Sequence, residues 1–496
     1  MRGLRRPEVW VFVILLASYA YFWHGRDWNA ASRLMLTYAL VDRGTLSIDG
    51  LDEQTRDIAR YRGHFYTDKT PGFSFLATAP YAGAKWGLNL PDHPRDRPGF
   101  AHWPADYWAT LGTSGLLSAL AGAVLVVLAR DLGCGPGRSA LVGLAYGLAT
   151  PAYAYATLAY GHQAAAFCLL ASFALLRKDG PRPRLRAAFA GFLASYASVV
   201  EIQVGPVSAI LGLYLLAMAA GKRRRASAVL AFGMGAAVPA SILLTYNALA
   251  FGSPWRMGYF FLIMDRFQQV HSASNPLGLG RPDWSRLGEL LGGERRGLVR
   301  FAPILALTLP GLALALARRS WDLVAVTSSV MAAVLVVNLS YPEWTGGWTT
   351  GPRLLVPLLP FAMLPVAVLL AAGGRGWTTL AALLAVLGGV EILMFQAVGA
   401  RVPDAIARPL VEGVWPLLRG DRPLPDWAFG HRHARNLASL AWPEGVKRLP
   451  VGAGWIQFLP LVAFQAVMIG LMRLACGKGP AESTGPAVPE ARKRSG

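Results

Sequence analysis

The chain has 496 residues, of which 54% are hydrophobic and only 15% are charged, and its mean hydropathy is +0.38. So few polar side chains could not cover a soluble globule of this size, which excludes a soluble enzyme and indicates a membrane protein. The formal charge of +20 comes from short basic clusters between apolar runs, such as residues 221–225. This pattern is typical of cytoplasmic loops and argues against nucleic acid as a partner.

The apolar residues form about twelve segments of the length that a transmembrane helix needs, close to 20 residues. The first follows the basic start MRGLRR and has no small-residue cleavage motif, so we interpret it as a retained anchor with its N-terminus in the cytoplasm. The twelve segments are 8–24, 107–129, 139–157, 162–177, 186–203, 205–220, 226–250, 300–317, 321–339, 353–372, 376–398 and 455–475.

A further segment, 71–88, contains Pro80 and Lys85 and is only weakly apolar. If this segment crossed the membrane, the basic clusters at 177–186, 222–225 and 318–319 would fall outside, against the positive-inside rule. We therefore predict an amphipathic juxtamembrane helix at this position.

The sequence thus predicts an all-α polytopic membrane protein of about 12 transmembrane helices, with both termini in the cytoplasm. A transmembrane domain is predicted over residues 1–400, with a long first external loop at 25–106 that contains juxtamembrane helices. Residues 401–475 are predicted to form a second external loop and the last transmembrane helix. The tail at 476–496 is small, polar and proline-containing, and is expected to be disordered.

Acidic residues are concentrated early in the first external loop, although the whole chain has only 28 Asp and Glu residues. Asp68 and Lys69 stand just before the predicted juxtamembrane helix, where a carboxylate can act as a general base towards a hydroxyl or amine. The alternative for any single acid in this loop is that it has no catalytic role and is simply a solvated surface charge. The seven carboxylates are Asp27, Asp42, Asp49, Asp52, Glu53, Asp57 and Asp68.

Two later external segments contain candidate substrate-binding residues. Segment 245–260 presents Tyr246, Asn247 and Arg256, and the glycine- and tryptophan-rich segment 341–360 presents Trp344 and Arg353. An arginine at the lip of a span suits a phosphate, because its planar fork can hold two oxygens. An arginine that only extends its charge to the membrane surface is the competing interpretation.

Four more residues complete the candidate binding set. His162 opens a span at the external face, where a ligand contact and a structural role are both open. Glu201 lies near the external end of a span, and an acid there indicates either function or a buried ion pair. Arg33 belongs to a predicted helix at 29–44, and His64 belongs to the segment GHFYTDKTPG.

The histidines show no HExxH motif, and the three cysteines lie far apart. Neither a metal site nor a disulfide framework is therefore predicted, and no cofactor is expected.

The layout of the chain resembles that of the GT-C superfamily. One span is followed by a long acidic external loop, a turn into a juxtamembrane helix and many further spans. The members of this superfamily are polytopic glycosyltransferases that use polyprenyl-phosphate-linked sugars, including lipid A aminoarabinose transferases and protein O-mannosyltransferases. In that superfamily the first loop opens with Asp-Glu before an Arg-containing helix, and later has a Lys-Pro-Pro turn. The segments that carry the resemblance are NAASRLMLTYALVDRG, YTDKTPG, YNALAFGSP, RGLVRFAP and WTGGWTTGPRLL. Asn29 and Ala30 stand where Asp-Glu is expected, so the catalytic role cannot be carried over to them.

The resemblance implies a glycosyltransferase of the bacterial inner membrane. It would move a sugar, with inversion, from a polyprenyl-phosphate donor to a lipid, glycan or protein acceptor on the external, periplasmic face. The expected base is Asp68, then Asp57, with Asp27 as a further alternative, and Arg353, with Lys69 or Arg256, would stabilise the leaving phosphate. Two other functions compete: a lipid or solute transporter, which would place charges deep in several spans, and a non-catalytic scaffold with the same fold.

Overall fold

The computed structural model describes residues 6–93, 104–177, 180–219, 223–272, 274–275, 277–419, 421, 435–436 and 458–476. Most of the predicted external loop before the last transmembrane helix, and the predicted disordered tail beyond Cys476, lie outside these residues. The long helices are α1 (Pro7–Ala20), α2 (Trp28–Arg43), α3 (Gly72–Gly87), α4 (Pro104–Asp131), α5 (Pro136–Leu148), α6 (His162–Arg177), α7 (Pro183–Val200), α8 (Ile202–Ala219), α9 (Arg223–Phe251), α10 (Pro303–Ala317), α11 (Trp321–Ser340), α12 (Arg353–Ala372), α13 (Arg375–Val398) and α14 (Leu459–Cys476).

Short elements connect these helices. Two antiparallel pairs of strands are described: β1 (Phe22–Trp23) pairs with β4 (Arg435–Asn436), and β2 (Ile58–Tyr61) pairs with β3 (His64–Thr67). Helical turns of three to six residues occur at Asp52–Gln54, Ala152–Ala156, Gly258–Phe260, Asp265–Gln268, Trp284–Arg286, Leu287–Gly292, Leu298–Phe301, Pro409–Val414 and Trp415–Arg419.

The predicted all-α multi-pass architecture is confirmed. Each of the twelve predicted apolar segments contains all or most of one long helix, α1 or α4 to α14. Within the described residues, seven helices (α4, α8, α9 and α11 to α14) are long and apolar enough to cross a membrane, and α1, α6 and α10 are shorter apolar helices. The exact count of twelve crossings and the orientation of the termini stay predictions. The segment predicted at 139–157 is broken, because helix α5 ends before Pro151, which disfavours helical geometry in the preceding residue.

Helix α12 lies at the centre of the bundle. Its apolar window is 89% buried inside the protein, whereas those of α9 and α14 are only 11% buried. An apolar helix that the protein leaves uncovered must be covered by lipid, so α9 and α14 form the outside of the bundle.

Helix α2 is confirmed as a helix but is more enclosed than a surface helix. Asp27 caps its first turn by accepting a hydrogen bond from the Ala30 backbone N–H at 2.8 Å, and Gly44 ends it with φ of +65°. Ten consecutive residues, Ala30 to Ala39, are buried. The rest of the first loop therefore packs on this helix, and its polar side chains Ser32 and Arg33 are buried in the protein.

The start of α3 is fastened to the end of α7. Thr70 Oγ1 donates to the Val200 carbonyl at 3.0 Å, and Tyr196 Oη donates to the Gly72 carbonyl at 2.9 Å. A Cβ at Gly72 would lie 2.6 Å from backbone atoms of Val199 and Val200, so only glycine permits this close approach. This contact holds the segment with Asp68 and Lys69 against the bundle.

We expect Gly72→Ala to lower the free energy of unfolding by about 1–3 kcal/mol, because the new methyl group overpacks the contact between α3 and α7. SDS titration in mixed micelles can measure this loss. Gly83→Ala is the matched control from the same helix, since a Cβ there meets no neighbouring atom within 4 Å and alanine favours helices. Equal losses in the two variants would contradict the packing of Gly72 against α7.

Candidate active site

Two adjoining cavities lie where the first loop meets the helical bundle. The wide cavity has a volume of about 350 Å³, and the narrow cavity has a volume of about 120 Å³. The walls that both cavities share are Asn29, Lys69, Tyr259, His271, Tyr341 and Arg353.

The two cavities differ in chemistry. The wide cavity is lined by five carboxylates and three cationic side chains: Asp27, Asp57, Asp68, Glu343, Asp404, Lys69, Arg266 and Arg353. The narrow cavity has a polar end, with Arg33, His162 and Glu201, and an apolar end formed by Val204, Pro206, Leu277, Leu279, Val334, Val337 and Leu354. Because α8 and α11 supply most of this apolar end and are candidate membrane spans, the narrow cavity suits a lipid chain beside a polar group.

Lys69 is held between two carboxylates of the first loop. Its Nζ lies 3.0 Å from Asp57 and 2.7 Å from Asp68. The β2–β3 hairpin explains this arrangement, because Ile58 pairs with Thr67 and the residues on either side of that pair, 57 and 68, are therefore brought together. Ser32 Oγ of α2 donates to the other oxygen of Asp68 at 3.1 Å.

The cluster contains one positive and two negative charges, so one carboxylate is not fully neutralised. Burial raises the pKa of Asp57, and the nearby Asp68 raises it further, while Lys69 offsets only part of this effect. Burial opposes the charge on Lys69, but the two carboxylates outweigh it and raise the pKa of Lys69. Asp57 is therefore a carboxylate that takes up a proton more readily than an ordinary aspartate.

A buried ion pair closes the polar end of the narrow cavity. Arg33 Nη2 of α2 donates to Glu201 Oε1 at 2.7 Å, and the two side chains are only 3% and 8% exposed. Arg33 Nε also donates to Asn29 Oδ1 at 3.2 Å, and His162 Nδ1 lies 3.5 Å from Glu201. The pair thus joins the first loop to the helical bundle at the wall of the narrow cavity.

Arg353 stands where the two cavities meet. Its guanidinium carbon lies 5.4 Å from the centre of the Tyr160 ring, and its Nε is buried with no hydrogen-bond partner among the described residues. The other cationic side chains of the two cavities, Arg33, Lys69 and Arg266, each form an ion pair. In the described part of the chain, Arg353 forms none, so its charge is available to an anion.

Asp27 lies beside the Arg353 end of the wide cavity. It accepts a hydrogen bond from the Tyr160 hydroxyl, whose ring lies under Arg353. Arg401 Nη1 lies 3.7 Å from its other oxygen. These contacts and the N-terminus of α2 hold the Asp27 side chain in one position.

The structure brings together eight of the predicted site residues and leaves five outside the cavities. Those that line a cavity are Asp27, Asp57, Asp68, Arg33, Lys69, His162, Glu201 and Arg353. Those that line neither cavity are His64, Tyr246, Asn247, Arg256 and Trp344. His64 is exposed and pairs with Asp49, and Tyr246 lines a separate apolar groove. Asn247 donates to the Pro254 carbonyl, Arg256 donates to the Tyr61 hydroxyl, and the Trp344 ring packs under Arg286 and Arg295. Their substrate-binding roles stay predictions.

Sequence reasoning missed an aromatic wall shared by both cavities. The rings of Tyr259 and His271 stack with centroids 4.9 Å apart, and His271 Nε2 lies 3.3 Å from the Tyr341 hydroxyl. No local pattern links these residues, because they come from loops that only tertiary folding brings together. Among the described residues, no group of three or more His, Cys, Asp or Glu could hold a metal ion.

No protein-family model matches this chain, and no curated protein matches its sequence. Solved structures do match its fold. ArnT from Cupriavidus metallidurans bound to undecaprenyl phosphate is 14% identical, with a TM-score of 0.50 over 94% of this chain and 76% of ArnT. The same protein in the apo state is 16% identical, with a TM-score of 0.49 and the same coverage. The archaeal oligosaccharyltransferase AglB from Archaeoglobus fulgidus, in complex with an inhibitory peptide and a dolichol-phosphate, is 12% identical, with a TM-score of 0.48 over 92% of this chain and 63% of AglB.

The class of protein follows from the fold: this chain is a polytopic, helical membrane protein, and its fold is similar to that of ArnT. The similarity to ArnT confirms, at the level of fold, the resemblance that the sequence predicts.

We expect Glu201→Gln to destabilise the protein by about 3–5 kcal/mol, because it leaves the buried Arg33 charge without its partner. Asp322→Asn is the matched control: Asp322 also pairs with an arginine, Arg177, at 3.2 Å, but its side chain is 50% exposed. Breaking this exposed pair should cost less than about 1 kcal/mol. Unfolding in SDS-containing micelles would compare the two variants, and similar small losses would show that Arg33 does not depend on Glu201.

Proposed function

We propose that this chain is an integral-membrane glycosyltransferase that moves a sugar from a polyprenyl-phosphate donor to an acceptor in the wide cavity. The observation that carries the proposal is the position of Arg353. Its charge, unpaired among the described residues, lies where the narrow cavity, with its apolar end walled by membrane helices, meets the wide cavity lined by carboxylates. A lipid phosphate bearing a sugar has these three parts in this order: an apolar chain, an anion and a polar ring.

The donor would place its lipid chain at the apolar end of the narrow cavity and its phosphate at Arg353. A guanidinium can hold two phosphate oxygens, and an arginine that forms no ion pair among the described residues binds the anion without first breaking one. Lys69 is less suited to this role, because Asp57 and Asp68 already neutralise it. The undecaprenyl phosphate in the ArnT structure is a ligand of the same chemical class.

Asp57 is the proposed general base. Both carboxylate oxygens of Asp68 already have partners, and its side chain is only 3% exposed, so Asp68 is better placed to position Lys69. Asp27 is connected through Tyr160 to Arg353 and would lie near the leaving phosphate. Asp57 lies at the Lys69 side of the wide cavity, and its raised pKa suits proton abstraction at neutral pH.

In the proposed reaction, a hydroxyl or amine of the acceptor attacks the anomeric carbon of the donor sugar with inversion. Its proton passes to Asp57, and the bond between the anomeric carbon and the phosphate oxygen breaks with its electron pair remaining on the phosphate. Arg353 stabilises the negative charge that develops there. The acceptor would be a lipid, glycan or protein at the periplasmic face of a bacterial inner membrane, and no cofactor takes part in the proposal.

The basic test is transfer of a radiolabelled sugar from undecaprenyl phosphate by the full chain in proteoliposomes. We expect Asp57→Asn to lower kcat by about 10²–10⁴-fold, which is the usual contribution of a general base. Glu53→Gln is the control, since Glu53 belongs to the same loop but is exposed and lines neither cavity. A large loss in Asp27→Asn together with full activity in Asp57→Asn would reassign the base to Asp27. Flux of a lipid or solute without any sugar transfer would support a transporter instead.

The pH dependence of kcat gives a second test. The base must be ionised, so the rate should fall as the pH drops below the raised pKa of Asp57. Asp68→Asn removes one negative charge that raises this pKa and should move the acid limb to lower pH. If the acid limb of the pH profile does not move, the group whose ionisation controls kcat lies outside the Lys69 cluster.

We expect Arg353→Gln to lower kcat/KM for the donor by about 10²–10³-fold, because it removes the cation that stabilises the leaving phosphate. Arg256→Gln is the matched control, since Arg256 is an exposed arginine that lines neither cavity. Its kcat/KM should remain close to that of the unaltered protein. If Arg256→Gln were the more damaging change, the phosphate site would lie outside the two cavities.

A further inference from the structure

Arg296, the first residue of the RGLVRFAP segment, is fully buried and has no role in the reaction described above. Its three guanidinium nitrogens bind three backbone carbonyls. Nε donates to Thr345 at 3.0 Å, Nη2 donates to Gly347 at 2.9 Å, and Nη1 donates to Arg295 at 2.9 Å. Two of these carbonyls belong to the glycine- and tryptophan-rich loop that precedes α12.

A buried guanidinium is costly to remove from water, even when it is hydrogen-bonded. Arg296 forms no ion pair within the described residues, and its burial lowers its pKa to about 10. Its direct polar partners are therefore the three backbone carbonyls. An arrangement of this kind holds the backbone that supplies the carbonyls in one conformation, because any movement of the loop would leave buried donors unpaired.

The loop that Arg296 holds also shapes the surroundings of Arg353. Gly346 and Gly347 have φ of +74° and +72°, and both line the wide cavity. A Cβ at Gly346 would lie 3.3 Å from the Cβ and Nε atoms of Arg353, so the backbone of this turn packs directly against the Arg353 side chain. Thr345 and Gly347, the residues on either side of Gly346, are the two that Arg296 fixes.

We propose that Arg296 is a positioning residue for the lipid-phosphate site: by binding the Thr345 and Gly347 carbonyls, it holds the Gly346 turn that orients Arg353. This inference rests on the proposed function, because it assumes that Arg353 binds the donor phosphate. Arg296 itself lines neither cavity and acts only through the turn.

The role requires arginine and not merely a positive charge. Three donors in one rigid plane reach three carbonyls, whereas the single ammonium of lysine is a point charge on a flexible stem. Arg296→Lys should therefore behave like Arg296→Gln. Arg295 provides the matched control, since it is the neighbouring arginine but packs over the Trp344 ring and lines neither cavity.

The test is the Kd of the full chain, in detergent micelles, for undecaprenyl phosphate without a sugar. We expect Arg296→Lys and Arg296→Gln to weaken binding by roughly ten- to a hundredfold, the range that misplacement of a binding group produces, and Arg295→Gln to leave it unchanged. Combining Arg296→Gln with Arg353→Gln should weaken binding no further than Arg353→Gln alone, because the Arg296 effect passes through Arg353.

Gly346→Ala leaves the Arg296 side chain in place, but it puts a methyl group against the Arg353 side chain at a position whose positive φ disfavours alanine. It should reproduce the loss of affinity if the Arg296 variants do not fold. An unchanged Kd in Gly346→Ala or in folded Arg296 variants, or additive effects in the double variant, would overturn the positioning role and leave the proposed function intact. If the unaltered protein does not bind undecaprenyl phosphate, the proposed function fails, and this inference fails with it.

Discussion

The buried ion pair between Arg33 and Glu201 is the interaction on which the candidate site depends. It joins α2, which follows the first membrane helix, to the end of α7, and both residues line the narrow cavity. Two opposite charges this well buried stabilise each other only while they stay together. The first loop is therefore held in one position on the bundle, and the residues that follow α2 pack on a helix whose position is fixed.

Above α2, the β2–β3 hairpin and the close contact at Gly72 arrange the charges of the wide cavity. The pairing of β2 with β3 places Asp57 beside Asp68, and Gly72 brings the following helix against α7. Lys69 is consequently shared by two acids. Burial raises the pKa of Asp57, Lys69 offsets part of this effect, and the nearby Asp68 adds to it. The fold itself therefore creates a carboxylate suited to accept a proton.

The cationic side chains near the cavities fall into two groups. Those that are paired with acids, such as Arg33 and Lys69, stabilise the loop structure. Arg353 and Arg296 form no ion pair within the described residues, and both lie at the glycine-rich loop before α12. One faces the cavities and the other holds the loop backbone. Most cations near the cavities are thus neutralised by acids, whereas the Arg353 charge is left for a ligand. This difference is the electrostatic basis of the proposed lipid-phosphate site.

The apolar segments and the basic clusters by themselves determined the helical, multi-pass architecture, since hydropathy and span length directly express the transfer of a helix into lipid. The local signals of Gly44 and of the acidic first loop likewise predicted α2 and three of the five carboxylates of the wide cavity, Asp27, Asp57 and Asp68. Only the tertiary structure decided which predicted residues meet: it left His64 and Arg256 outside the cavities and introduced Tyr341 and Arg296. Cavity walls are built from loops far apart in the chain, and their contacts depend on packing that no local pattern encodes.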